Sequence, residues 1–158
     1  MTRARRVAVA VAVQDVSGAA AVPSPAKLRK WARRALGSKT KGEITVRIVS
    51  TDEIAALNSE YRGKKGATNV LAFPAAVAPN VRGELLPIGD LVICASVVEL
   101  EAREQGKKLD AHWAHMVIHG ALHLLGYDHE TRREAAAMEA RERSLLAALG
   151  FPDPYSIK

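Results

Sequence analysis

The sequence predicts an α+β domain, a mixed four-stranded sheet with helices packed against it. Two stretches alternate with the period of a strand: Val7, Val9, Val11 and Val13 near the start, then Ile44, Val46 and Ile48 within Glu43–Val49. Several longer stretches instead repeat apolar residues every three or four positions behind a capping residue, as amphipathic helices do. Strands and helices interleave in the order βαβαββααα. With no internal repeat or linker, the 158 residues read as a single domain, 1–158.

The first strand carries small alanines between its valines, which lets a helix pack closely on one face. Residues 15–22 form an Ala/Gly/Ser loop. Ser24 then caps a helix with Pro25 at its first position, where proline's missing N–H costs nothing. Leu28, Trp31, Ala32, Ala35 and Leu36 make its buried stripe, and Gly37 ends it. Lys27, Arg29, Lys30, Arg33 and Arg34 occupy the rest of that surface, either as a solvated face or as contacts for an RNA backbone. After the second strand, Thr51 is the expected cap of a helix over 52–61, with Asp52 and Glu53 near its positive end. Arg62, Lys64 and Lys65 lead through two glycines into a third strand, 68–73. A loop or lid, 74–87, precedes a fourth strand, 89–94. Ser96 and Glu99 read as a capping box for a short helix, Asp110 as the cap of a long one, and Thr131 with Glu134 as a second box. The last helix buries Met138, Leu145, Leu146 and Leu149, with Glu139 and Arg143 paired on its surface.

The chemistry concentrates between His119 and His129. His119 and His123 are four apart, so both imidazoles leave one helical face and can reach one ion. Gly126 stops the helix in a left-handed turn that other residues resist, and the chain returns with His129. Three imidazoles with a fourth position open are the donor set of a catalytic zinc site, and no cysteine stands nearby to close it. The expectation is one Zn2+ per chain on His119, His123 and His129. Metzincin proteases use the same spacing, but their general-base glutamate is Gly120 here, so peptide hydrolysis by that route is not expected. His115, four residues earlier, would extend the row to about 12 Å, too long for one ion. It reads as a neighbour of the site or a core histidine, and His112 as structural. Asp128 and Glu130 are candidates for carboxylates that orient a ligating imidazole.

Composition narrows the partners. A net charge of +6 and a pI near 9.7 favour polyanions, nucleic acid or an anionic membrane. Aromatics at 4% are too few for a base-stacking sheet of the RNA-recognition-motif kind. No apolar run is long enough to span a membrane. The start, with Arg3, Arg5 and Arg6 before an apolar run, imitates a signal peptide, but that run is short and Gln14 and Asp15 follow it. Cys94 is the single cysteine and lies in an apolar stretch, where it reads as a small core residue, compatible with a reducing, cytoplasmic location.

Three motifs together resemble the YbeY family of bacterial rRNA maturation factors, zinc-dependent endoribonucleases. They are Leu57-Asn58 through Tyr61-Arg62 to Thr68-Asn69-Val70-Leu71-Ala72-Phe73-Pro74; Gly89-Asp90-Leu91-Val92-Ile93; and His119 to His129, extended by Glu134, Ala135, Met138 and Glu139. The chain departs from the family's usual pattern at Lys65, where Asp is common, at Gly66-Ala67 and at Ala72. The resemblance implies a small α+β domain, zinc on the three histidines, and Arg62 at the rim of the metal cleft with a part in RNA cleavage. It further implies single-stranded RNA as substrate and late maturation of the small-subunit (16S) rRNA 3′ end with ribosome quality control. Partners would then be the small ribosomal subunit and assembly factors, with no membrane and no DNA. A guanidinium suits the charge that phosphodiester cleavage builds, because it offers two parallel N–H donors. The general base stays open: either water or the ribose 2′-hydroxyl could be the nucleophile. Two alternatives differ in class, a non-catalytic ribosome-assembly factor with a zinc-stabilised fold and a metzincin-like metalloprotease.

Overall fold

The computed structural model describes residues 9–75 and 86–156. In chain order these form β1 (Ala10–Asp15), α1 (Pro25–Leu36), β2 (Glu43–Val49), α2 (Thr51–Arg62), β3 (Val70–Pro74), β4 (Pro87–Cys94), α3 (Ala95–Glu104), α4 (Leu109–Leu124) and α5 (Arg132–Ala148). The sheet order is β1-β2-β4-β3. β1, β2 and β4 run parallel and β3 runs antiparallel to β4, so the sheet is mixed as the sequence predicts. Val7 and most of the expected 74–87 loop lie outside the described residues. Among the described residues no helix is long and apolar enough to cross a membrane.

The alternation within β2 decides which face meets the main core. Ile44, Val46 and Ile48 point to one side and join Leu91 and Ile93 of β4 beneath α1 and α4. A smaller cluster of Val49, Ile54, Leu71, Val92 and Cys94 lies on the opposite face. α4 is the central helix. It packs against α1, α3, α5, β3 and β4, and its apolar residues cover nearly its whole circumference. Trp113, Ile118 and Leu122 of α4 are fully buried, and each such side chain contributes about 1.5–3 kcal/mol by leaving water.

Several helix starts differ from the sequence reading. Ser50, not Thr51, caps α2: its hydroxyl accepts from the Glu53 N–H, and Thr51 is already helical. α3 begins directly after β4 at Ala95, so Ser96 and Glu99 fall inside the helix and form no box. Glu99 pairs with Arg103 instead. α4 starts after Lys108, and Asp110 sits in its first turn bonded to Lys27 of α1 at 2.6 Å. The Thr131–Glu134 capping box is present on both sides.

The basic face of α1 also has a structural task. Arg29 Nε donates to the Val11 carbonyl and Arg33 Nε to the Val9 carbonyl. Among the described residues β1 is an edge strand whose outer carbonyls would otherwise be open to pairing with another chain, and the two guanidiniums cover that edge.

Candidate metal centre and its cleft

The C-terminal end of α4 builds the site. Past Leu125 the chain enters Gly126 with φ of 100°, a region that favours glycine. The Gly126 N–H bonds the His123 carbonyl and the Tyr127 N–H bonds the Leu122 carbonyl, each at 3.0 Å. This Schellman closure satisfies the last carbonyls of the helix and reverses the chain. Asp128 Oδ1 accepts from the His129 N–H at 2.7 Å, which steadies the turn. His129 thereby returns to the two imidazoles of α4.

One ring nitrogen from each of His119, His123 and His129 lies within 4.8 Å of the others. His119 Nε2 and His123 Nε2 are 3.2 Å apart. Two tetrahedral ligands ~2.0–2.1 Å from an ion stand about 3.3 Å from each other, so this pair is spaced for a shared metal. Burial, with His119 and His129 beside it, lowers the pKa of His123 and favours the neutral form that binds metal. The donor set therefore fits a metal ion with an open coordination position.

Behind His119 lies a polar network that sequence reasoning missed. Glu142 of α5 is 1% exposed. Its Oε2 accepts from His115 Nε2 at 2.7 Å and from His119 Nδ1 at 3.0 Å, and its Oε1 accepts from the Tyr155 hydroxyl at 2.7 Å. Burial alone would push this carboxyl up. The hydrogen bonds from His115, His119 and Tyr155 outweigh it and hold the pKa at about 2. Burial and the adjoining carboxylate push the Tyr155 phenol far up, so it stays a donor. His115, His119 and Glu142 also bring three possible metal ligands within 4.8 Å. Their 2.7 and 3.0 Å separations are hydrogen bonds rather than tetrahedral ligand spacings, and we read them as a proton-ordered network.

Asp128 and Glu130, expected as orienting carboxylates, do not take that part. Asp128 is bonded to backbone, and both line the mouth of the cleft. Glu142 could have been found from its position. It falls four after Met138 and three before Leu145, on the buried stripe of α5, where an acid needs a partner.

The three histidines open into a cleft of about 790 Å³ that residues of the α2–β3 loop also line. Arg62, the last residue of α2, lines this cleft with Lys64. Buried Asn58 donates from Nδ2 to the Gly66 carbonyl at 3.0 Å, and Asn69 Nδ2 donates to Glu101. These bonds hold the loop that follows Arg62 and carries Lys64. Gly120 lets α4 sit tightly on the sheet. A methyl group there would lie 2.8 Å from Leu91 Cδ2 and 3.2 Å from Val70 Cγ2. A side chain at the position a metzincin uses for its glutamate would thus press on the sheet.

The family model described as Endoribonuclease YbeY matches residues 16–150. A Methylococcus capsulatus protein named Endoribonuclease YbeY is 58% identical over 135 residues, covering 85% of this chain and 88% of the relative. A Halorhodospira halophila protein of the same name is 53% identical over 147 residues, covering 92% and 95%. The solution structure of a Thermotoga maritima protein is 24% identical, covers 94% of this chain and 99% of its own, and superposes with a TM-score of 0.53. That likeness is one of fold.

Proposed function

The chain belongs to the YbeY family of endoribonucleases, and from that premise we propose a zinc-dependent endoribonuclease, one domain over residues 1–158, that cuts single-stranded RNA. Its proposed setting is the cytoplasm, in late maturation of the small-subunit 16S rRNA 3′ end and in ribosome quality control. The small ribosomal subunit and assembly factors would be its partners. The observation that carries this reading is the convergence of His119, His123 and His129 on one cleft that Arg62 also lines.

His119, His123 and His129 would hold one zinc ion. A zinc ion with an open position supplies a water of near-neutral pKa and polarises a phosphoryl oxygen. The remaining work falls to the chain. Arg62 and Lys64 place positive charge in the same cleft as the histidines, where a phosphodiester would lie. Negative charge grows on the phosphoryl oxygens as the bond breaks, and the Arg62 guanidinium can meet it with two N–H donors. Gly120 offers no side-chain base, which sets this site apart from a peptidase.

The test is cleavage of a single-stranded RNA by zinc-loaded protein beside an Arg62→Ala variant of equal zinc content and fold. Arg62 is exposed at a helix end, so its loss should leave stability within about 0.5 kcal/mol. Turnover should fall about 10²–10³-fold, the usual cost of losing a donor to transition-state charge. Equal turnover in both would remove Arg62 from the chemistry. No cleavage by either, with zinc bound, would favour the assembly-factor alternative.

A further inference from the structure

We infer that Glu142 is a positioning residue for the metal centre: it fixes His119 so that Nε2 faces the cleft, and Tyr155 from the C-terminal segment holds Glu142 in place. The inference rests on the reading that His119, His123 and His129 bind a metal.

An ionised carboxylate only accepts hydrogen bonds. His115 Nε2, His119 Nδ1 and the Tyr155 hydroxyl, all within 3.0 Å of Glu142, must therefore each donate to it. For His119 the consequence is specific. The proton resides on Nδ1, and Nε2, 3.2 Å from His123 Nε2, keeps its lone pair for a cation. The same bond limits rotation of the ring. A carboxylate behind a ligating imidazole also makes that imidazole a stronger donor to metal.

Stability alone is a poor reason for this arrangement. A carboxylate buried on the apolar stripe of α5 could be replaced by a hydrophobic side chain of similar volume at little cost or with a gain. The network is instead built outward from a site residue. His115 lies one turn before His119 and its ring meets the Tyr155 ring edge-on at 5.4 Å. Arg143 covers the Tyr155 ring at 5.3 Å and bonds Asp153, anchoring the segment that brings the hydroxyl in. The chain's C-terminal segment is thus tied through two hydrogen bonds to a ligand on α4.

The experiment measures zinc affinity by chelator competition for wild type, Glu142→Gln, Tyr155→Phe and His123→Ala, each shown to be folded by circular dichroism. Metal-free wild type is also examined by nitrogen-15 NMR of the imidazoles. The proposal expects zinc binding about 10–100-fold weaker in Glu142→Gln. Tyr155→Phe should show a smaller loss, under about tenfold, because one hydrogen bond to the carboxylate is gone. In wild type, His119 should be protonated on Nδ1 and bare on Nε2. A purely structural Glu142 would lower the unfolding midpoint but leave zinc affinity of the folded protein unchanged, and that result overturns the proposal. So does a His119 protonated on Nε2 alone, a readout that stands even if Glu142→Gln does not fold. If wild type binds no zinc, or His123→Ala binds as well as wild type, the metal reading itself fails and takes the proposal with it.

Discussion

Replacing Gly120 with glutamate completes the metzincin pattern around the same three histidines, and it should produce an unstable protein rather than a peptidase. Non-bonded carbons pack best about 3.5–4.0 Å apart. A β-carbon at position 120 comes within 2.8 Å of Leu91 and 3.2 Å of Val70, so α4 and the sheet must separate or Leu91 must change rotamer. Leu91 is fully buried and has little room to move. Overpacking of this kind costs about 1–3 kcal/mol. About 1 kcal/mol returns because glycine is itself a poor helix residue. Gly120→Ala should therefore lose about 0–2 kcal/mol. Gly120→Glu must fit a longer side chain past the same two contacts, at the upper end of that overpacking range, for a total near ~3 kcal/mol. With a urea dependence of about 1–3 kcal/mol per molar, the midpoint should fall by 1 M or more, to be measured with chelator present so that metal affinity does not contribute. Zinc-loaded Gly120→Glu should not cut casein. Unfolding within about 1 kcal/mol of wild type would refute the tight helix–sheet contact. Peptidase activity would refute the claim that the base position is closed.

Two further outcomes follow from the fold. Ser50→Ala should cost about 1 kcal/mol in urea unfolding while Thr51→Ala stays within about 0.5, because only the Ser50 hydroxyl receives an otherwise unpaired helix N–H. A larger loss at Thr51 would reverse the cap assignment. His112 sets a pH dependence. Burial lowers its pKa against the opposing hydrogen bond to Glu101, so the unfolded chain takes up a proton near pH ~6.5 that the folded chain resists. Its contribution is complete above that pH and is lost as pH falls through the lower folded value. In chelator, His112→Gln should show a shallower loss of stability below pH ~6.5 than wild type. Parallel curves would count against a buried neutral imidazole.

Much of this was legible in the chain because it is local. Valine and isoleucine alternation marked β1 and β2, and Ser24-Pro25 marked the start of α1, since strand period and capping depend on residues within a few positions of one another. The helical starts that were misread, at Thr51, Ser96 and Asp110, share one cause. Each has a capping side chain one or two residues into the helix, and the exact start was decided by where the preceding strand or loop delivers the backbone.

For the site, the sequence by itself determined how His119, His123 and His129 come together. Four-residue spacing on a helix, a glycine for the reversal and a third histidine just past it bring those rings together through short-range backbone rules. Only the tertiary structure decided what surrounds them. Glu142 meets His119 across 23 residues and Tyr155 arrives from the chain's end. Arg62, at the end of α2, lines the same cleft as residues of α4 more than fifty positions later, and Gly120 is required because the sheet lies against it. Arg29 and Arg33, two of the five cations on α1, cover an edge strand. Contacts between distant segments depend on how helices settle on a sheet, and that packing leaves no period in the sequence for a local reading to find.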